Sequence, residues 1–383
     1  MGYENVTRHR RDVRPRDDGR HGEAMSGLRA LQKEHGATFT ERGGREVVSR
    51  YHDPGRTHRA VRNVAGVIEM PYGVLRVDGS DRVAYVDDVV TNRVPREEGE
   101  GAYAFLLDPQ GRIETDIHVY NAGDHLLCFT PPGKATWIAS EWEVFIEDVA
   151  IEVATSTLAV FGVHGSQATE KIASVLTGGG TPERTHGFVR GSLGDVGVTV
   201  VRTDAPTGET GYEVICASED AADVFDTLIN HGLNAVPFGT DTWEALTLEA
   251  GTPLFDPDLE GRIPNATGVR SALDFEKGCF VGQEVVSRIE NRGRPPERLV
   301  GLRPAKCPDP GAAVFAGDES VGEVSRAAES PALGAPVALA YVDGVIEGDL
   351  AVRVDGEEVD ASRVELPFVE GSEASGRLPR YDG

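Results

Sequence analysis

Apolar and polar positions change period several times along the chain. Tyr72 to Val77 alternates with period two and reads as a strand, and Gly79-Ser80-Asp81 then opens a helix. Ser80 is the expected N-cap of that helix, with Val83, Val86 and Val90 on one face. Leu106-Leu107-Asp108-Pro109-Gln110-Gly111-Arg112 reads as strand, turn, strand. Leu126 to Phe129 is a strand stopped by Pro131-Pro132, and Leu158 to Val163 is another. Ser166 should cap a helix carrying Ile172, Val175 and Leu176. Ser218 should cap one with Ala222, Phe225, Leu228 and Ile229 inward and Gly232 at its C-terminal end. A further helix begins at Thr240 and ends at Gly251.

After Pro295-Pro296 the helical period disappears. Short valine-rich runs separated by Gly, Pro and Asp indicate a small antiparallel barrel or sandwich. Helices and strands mix upstream without the regular alternation of a doubly wound sheet, so the expected class is α+β. The expected organisation is a disordered tail over 1–24, where arginines and acids show no apolar period, and a first α+β domain over 25–155. A second α+β domain over 156–296, the barrel over 297–369 and a polar tail over 370–383 follow.

Charge narrows the function classes. The chain has 63 acids against 38 bases, a formal net charge of −25, and only five of the bases are Lys (33, 134, 171, 277 and 306). Such a balance suits a halophilic protein, because carboxylates hold water and dense salt screens their repulsion. A nucleic-acid partner is disfavoured for want of a broad basic face. No apolar run approaches the ~20 residues of a membrane-spanning helix. Met1-Gly2 is followed by Val6 where a myristoylation signal wants Ser or Thr, and no secretory apolar core follows. The expectation is a cytoplasmic protein away from the membrane. Cys128, Cys216, Cys279 and Cys307 have neither zinc-site nor disulfide-frame spacing, and no metal is expected.

The most unusual stretch is Lys277-Gly278-Cys279-Phe280-Val281-Gly282-Gln283-Glu284-Val285-Val286-Ser287-Arg288. Two glycines bracket a lone thiol with a cation two residues away, which favours the thiolate. A small buried apolar side chain is the competing reading. Between Arg262 and Arg303 there are eight bases and five acids, a local +3 that leaves −28 elsewhere. Such a segment suits either a small anion or a set of internal salt bridges.

Lys277-Gly278-Cys279-Phe280-x-Gly282-Gln283-Glu284 resembles the signature of the YgfZ folate-binding proteins, which support iron–sulfur cluster maturation and repair. Those proteins belong to the superfamily of the glycine-cleavage T-protein, the tetrahydrofolate-dependent aminomethyltransferase. Gly79-Ser80-Asp81-Arg82-Val83, Leu107-Asp108-x-x-Gly111-Arg112, Thr207-Gly208-Glu209-Thr210-Gly211-Tyr212-Glu213 and Leu248-Glu249-Ala250-Gly251 resemble superfamily motifs in order. Ser330-Pro331-x-Leu333-Gly334 and Ala338-Leu339-Ala340-Tyr341-Val342 are similar to its C-terminal barrel.

The resemblance implies two mixed α/β domains around a central folate cavity, followed by an antiparallel β-barrel. It implies tetrahydrofolate, or a one-carbon derivative, as cofactor, and iron–sulfur client proteins as partners. Asp116 falls where T-proteins hold the catalytic aspartate that contacts the folate amine nitrogens. Glu213, with Glu209 as substitute, falls where a glutamate accepts hydrogen bonds from the pterin. Tyr72, Leu127 and Phe129 would line the pterin slot. Lys277, Gln283 and Arg288 would contact the cofactor beside Cys279, the reactive thiol. Trp243 stands where T-proteins place an Arg, and T-proteins lack the cysteine, so the resemblance favours the YgfZ-like role. A folate-dependent aminomethyltransferase is the alternative, with Asp116 indispensable in place of Cys279.

Overall fold

The computed structural model describes residues 19–142, 148–292, 294–344 and 350–381. A five-stranded antiparallel sheet runs in the order Gly101–Leu107, Ile113–Asn121, His125–Thr130, Gly73–Asp78, Ala150–Val153. In a seven-stranded sheet, Leu158–His164 pairs with Gly211–Ala217 on one side and Gly66–Glu69 on the other. Six antiparallel strands from Glu297–Pro304 to Glu357–Val364 close into a barrel. The class is α+β with a C-terminal barrel, as the pattern implies.

Period-two alternation positions everything that follows. On the strand Ile113–Asn121, Ile117 and Val119 pack with Val86, Val90 and Ile138 of the covering helices. Their neighbours Asp116, His118 and Tyr120 point to the other face. There Tyr120 and Phe129 share a core with Ile68, Val160, Val201 and Ile215 of the seven-stranded sheet. The two sheets therefore meet over one apolar layer. Asp108 shapes the hairpin entering this strand: its carboxylate accepts from the Arg112 N–H at 2.8 Å, and Gly111 takes the left-handed turn at φ 78°.

Several expectations are corrected. Ser80 and Ser166 do not cap: the helices run Arg82–Val89 and Ala168–Val175, preceded by Asp81 and Gln167. Each serine follows a glycine at strongly positive φ (Gly79 116°, Gly165 125°), so one more residue is needed before helical dihedrals begin. Ser218 opens a single 3₁₀ turn, Ser218–Asp220, and the α-helix starts at Ala221. Residues 19–24 are the first turns of helix Gly19–Glu34, and residues 1–18 lie outside the described residues. The division at residue 155 does not follow the sheets. Gly66–Glu69 sits in the seven-stranded sheet, and Phe255, Leu259, Val269 and Val286 pack on Tyr103, Phe105 and Ile113 of the five-stranded one. The expected polar tail returns from the barrel into the fold. Ala374 and Gly376 donate to the backbone of Gly208 and Asp204, and Ser372, Ser375 and Arg377 are buried. No helix among the described residues is long and apolar enough to cross a membrane.

Candidate active site

Between the facing sheets lies an open-mouthed cavity of about 690 Å³, a size that suits a cofactor-sized ligand. Asp116, His118 and Phe129 come to its wall from the five-stranded sheet, and Met70 and Tyr72 from the crossing between sheets. Trp243 and Thr240 come from the helix Thr240–Glu249, and Arg377 from the C-terminal segment.

Strand register assembles the polar part. Tyr103 and His118 are cross-strand partners, as are His118 and Phe129, which places three rings in one row. The Tyr103 hydroxyl reaches diagonally and donates to Asp116 Oδ2 at 2.8 Å. Burial raises the Asp116 pKa, against the opposing pull of Arg377 and the Tyr103 hydrogen bond. Tyr72 ties the sheets together: its ring meets Phe129 edge-on at 5.8 Å and its hydroxyl donates to Glu213 Oε1 at 2.7 Å. Glu213 thus stands one hydrogen bond behind the wall, with Oε2 not engaged by Tyr72. Burial lifts its pKa to about 7.

Arg377 sits at the centre. It donates from Nε to Asp204 Oδ2 at 2.5 Å and from Nη2 to Oδ1 at 3.1 Å, and lies 4.3 Å over the Tyr103 ring. Burial opposes both charges, yet each stabilises the other: Asp204 is held well below the usual carboxylate range and Arg377 stays protonated. His118 Nε2 accepts from Arg377 Nη2 at 3.3 Å, and burial together with that cation keeps the imidazole neutral.

The Lys-Gly-Cys stretch lies elsewhere, and its residues act in packing. Lys277 is buried and donates from Nζ to the carbonyls of Asp87, Val90 (2.8 Å) and Asn92 (2.9 Å), closing the end of the helix Arg82–Val89. Gly282 presses on the hairpin turn, where a Cβ would come within 2.9 Å of the Asp108 carbonyl and of Gly111 Cα. Phe280 joins the core around Tyr103 and Phe105. Cys279 is left exposed and is not on the cavity wall. Gln283 and Arg288 ride on the helix Gln283–Arg292, with Arg288 paired to Glu284, and neither reaches the cavity. The basic segment is largely spent on internal pairs, Arg262 with Glu297 and Glu323 and Arg270 with Glu290. Glu209 pairs with Arg62 at 3.6 Å beside Glu249 and is also off the wall. Leu127 lines a separate pocket of about 150 Å³ with Tyr120, Phe188 and Ile215, and Phe129 borders both spaces. Asp116, Tyr72, Phe129 and, one bond removed, Glu213 are the expected residues that come together.

Tyr103, His118, Asp204 and Arg377 are absent from the sequence-based set. Period two from Asp116 points to His118. Arg377 has no local signal, because it is one of two arginines in the C-terminal stretch and its side chain is placed by Asp204 and His118, 173 and 259 residues away. Among the described residues no three side chains converge to hold a metal. On the wall, Tyr72 and Phe129 offer ring faces to a reduced pterin and Asp116 can accept from an amine nitrogen, while the Glu213 carboxylate, the acceptor for an amide and amino edge, stands behind the Tyr72 hydroxyl.

Comparison with known proteins gives a consistent result. The GCVT N-terminal domain family matches residues 28–277, and the glycine cleavage T-protein C-terminal barrel domain matches 297–370. An aminomethyltransferase of Cutibacterium acnes is 30% identical over 90% of this chain and 98% of its own length. A probable aminomethyltransferase of Natronomonas pharaonis is 33% identical over 88% of this chain and 96% of its own. The crystal structure of the glycine cleavage system aminomethyltransferase T from Bartonella henselae superposes with a TM-score of 0.80 at 21% identity, covering 93% of this chain and 98% of that one.

Proposed function

The chain belongs to the glycine cleavage T-protein family, and from that membership we propose that it is a tetrahydrofolate-dependent aminomethyltransferase working in the cavity at Asp116. The observation that carries the reading is one cavity between the sheets whose wall holds the buried Asp116 carboxyl and Tyr72, with Glu213 hydrogen-bonded behind Tyr72. Tetrahydrofolate would supply amine nitrogens for the methylene carbon of an aminomethyl group, whose own amine leaves as ammonia. Tyr72 and Phe129 hold the pterin by their rings, and Glu213 accepts from its N–H edge. Asp116, made more basic by burial and fixed by Tyr103, orients the amine nitrogen and takes up its proton. The neutral His118 and the Arg377–Asp204 pair, hydrogen-bonded to one another, hold that wall in place.

Binding should then depend on pH through Glu213. Its pKa near 7 means that below neutrality the carboxyl is protonated and must lose its proton to accept the pterin edge. Tetrahydrofolate affinity should be flat above about pH 7.5 and fall by about tenfold per unit below 6.5. Titration calorimetry from pH 5.5 to 8.5 reads this directly. Glu213→Gln should abolish the dependence, and Glu213→Ala should weaken binding by about 1.5–3 kcal/mol at pH 8. Wild-type affinity that does not change with pH would remove Glu213 from the pterin contact.

A second reading, support of iron–sulfur proteins through Cys279, is favoured by one observation: two residues after the buried Lys277, the motif presents its thiol to solvent. Limited iodoacetamide treatment should label Cys279 first. Burial pushes Cys128 and Cys216 up to about 12, and burial together with Glu329 raises Cys307. Tetrahydrofolate should give no protection, because Cys279 is off the cavity wall. Folate protection, or slower labelling than Cys307, would contradict this placement. Cys279→Ala that keeps transfer but fails to restore iron–sulfur enzyme activity in a deletion strain would favour the second reading.

A further inference from the structure

We propose that Arg42 and Lys134 form a dicarboxylate subsite on the cavity rim, which takes the glutamyl tail of the folate. This rests on the tetrahydrofolate reading above, since it assigns the far end of the same ligand. Three cations border the cavity: Arg377, deep and committed to Asp204, and Arg42 and Lys134 on the solvent side. The rim pair is brought together by the backbone. Arg42 ends one arm of the hairpin Ala37–Tyr51, whose turn glycine Gly43 packs on Pro132 and Gly133, immediately before Lys134. A Cβ at Gly43 would come within 2.6 Å of Pro132, and Gly43 has φ 55°, so only glycine lets the two rims close this tightly.

Both cations are held by carboxylates that a ligand could replace. Arg42 pairs with Glu244, and Lys134 with Glu260 at 2.8 Å. The four side chains are 28–53% exposed, and ion pairs at such exposure contribute little to stability, so exchanging one carboxylate for another is nearly neutral. Lys134 also lies 4.9 Å over the Phe255 ring, which fixes its ammonium at the mouth. Acids are uninformative on a chain of net charge −25, whereas Lys is confined to five positions. Of these, Lys171 and Lys277 are spent on backbone carbonyls inside the fold. Trp243 stands on the same wall and offers a ring without charge. The rim acids Glu41 and Asp256 oppose an anion, so the attraction must come from direct contact. Molar salt favours that arrangement, because a screening length of ~3 Å removes the longer-range repulsion and spares contact pairs.

The tail and the head of the ligand can be tested apart. Calorimetry on the full chain would use tetrahydrofolate, 6-methyltetrahydropterin (head only) and p-aminobenzoylglutamate (tail only). The double variant Arg42→Met/Lys134→Met should weaken tetrahydrofolate by tenfold or more, remove tail-only binding and leave head-only binding unchanged. Glu244→Gln/Glu260→Gln, which deletes the competing carboxylates, should tighten tetrahydrofolate and the tail several-fold and again leave the head unchanged. Head-only binding equal to tetrahydrofolate in the wild type, or equal tetrahydrofolate affinity in both double variants and wild type, would overturn the subsite while leaving the folate reading intact. Tail binding that responds to both double variants, with no head binding, would support the subsite and overturn the folate reading instead.

Discussion

Asp116→Asn should lower the tetrahydrofolate-dependent aminomethyl-transfer rate by roughly 10²–10⁴-fold, the usual worth of a positioned proton acceptor. The substitution keeps the shape of the side chain and an oxygen for the Tyr103 hydroxyl, so the hydrogen bond at 2.8 Å and the strand register should survive. What it removes is the capacity to take a proton. The loss should therefore appear in kcat, with KM for tetrahydrofolate changed by less than a few-fold. Steady-state kinetics beside a calorimetric affinity separate the two. A variant with kcat within tenfold of wild type would show that Asp116 only packs. A proportionate loss of affinity would make it a binding group.

Arg377→Met should destabilise the fold by about 3–5 kcal/mol, as expected when one partner of a buried ion pair is deleted. Asp204 would be left 4% exposed without its counter-charge, and His118 would lose its donor. The C-terminal segment would keep its backbone anchors to Asp204, Gly208 and Gly268 and the side-chain contacts of Ser372, Ser375 and Tyr381. Pairing the change with Asp204→Asn should recover most of the loss, because the uncompensated carboxylate is the largest part of it. Denaturant midpoints of the two single variants and the double variant test this. A double variant no more stable than Arg377→Met alone would mean that guanidinium packing over Tyr103 carries the effect.

Local periodicity made the strands through Tyr72, Leu126 and Leu158 and the helix from Thr240 to Gly251 legible, because each is fixed by neighbours within one turn or one pleat. Asp116 was legible through the family resemblance, and the fold shows why that position faces the cavity. The hairpin turn at Asp108 sets the register of its strand, and alternation then sets its face. The helix caps at Ser80 and Ser166 failed where a glycine's positive φ displaced the helix start by a residue, a matter of dihedral geometry that residue type alone does not settle. Lys277 shows the limit from the other side. Its spacing from Cys279 suggested a cation tuning a thiol, yet its ammonium is buried under three carbonyls supplied by residues 87–92, nearly two hundred positions earlier. Arg377 was illegible because every partner that holds it is distant in the chain. Glu209 and Glu213 are four residues apart in one motif, and only the strand Gly211–Ala217 carries its member toward the space between the sheets.

A crystal structure of the full chain with tetrahydrofolate would show whether the cavity at Asp116 is the folate site. The pterin should lie between the sheets against Tyr72 and Phe129, with its N–H edge on Glu213 and a folate amine nitrogen about 2.6–3.2 Å from the Asp116 carboxylate. Ligand bound outside this cavity, or seated in it with Asp116 beyond hydrogen-bond reach of every folate nitrogen, would contradict that placement.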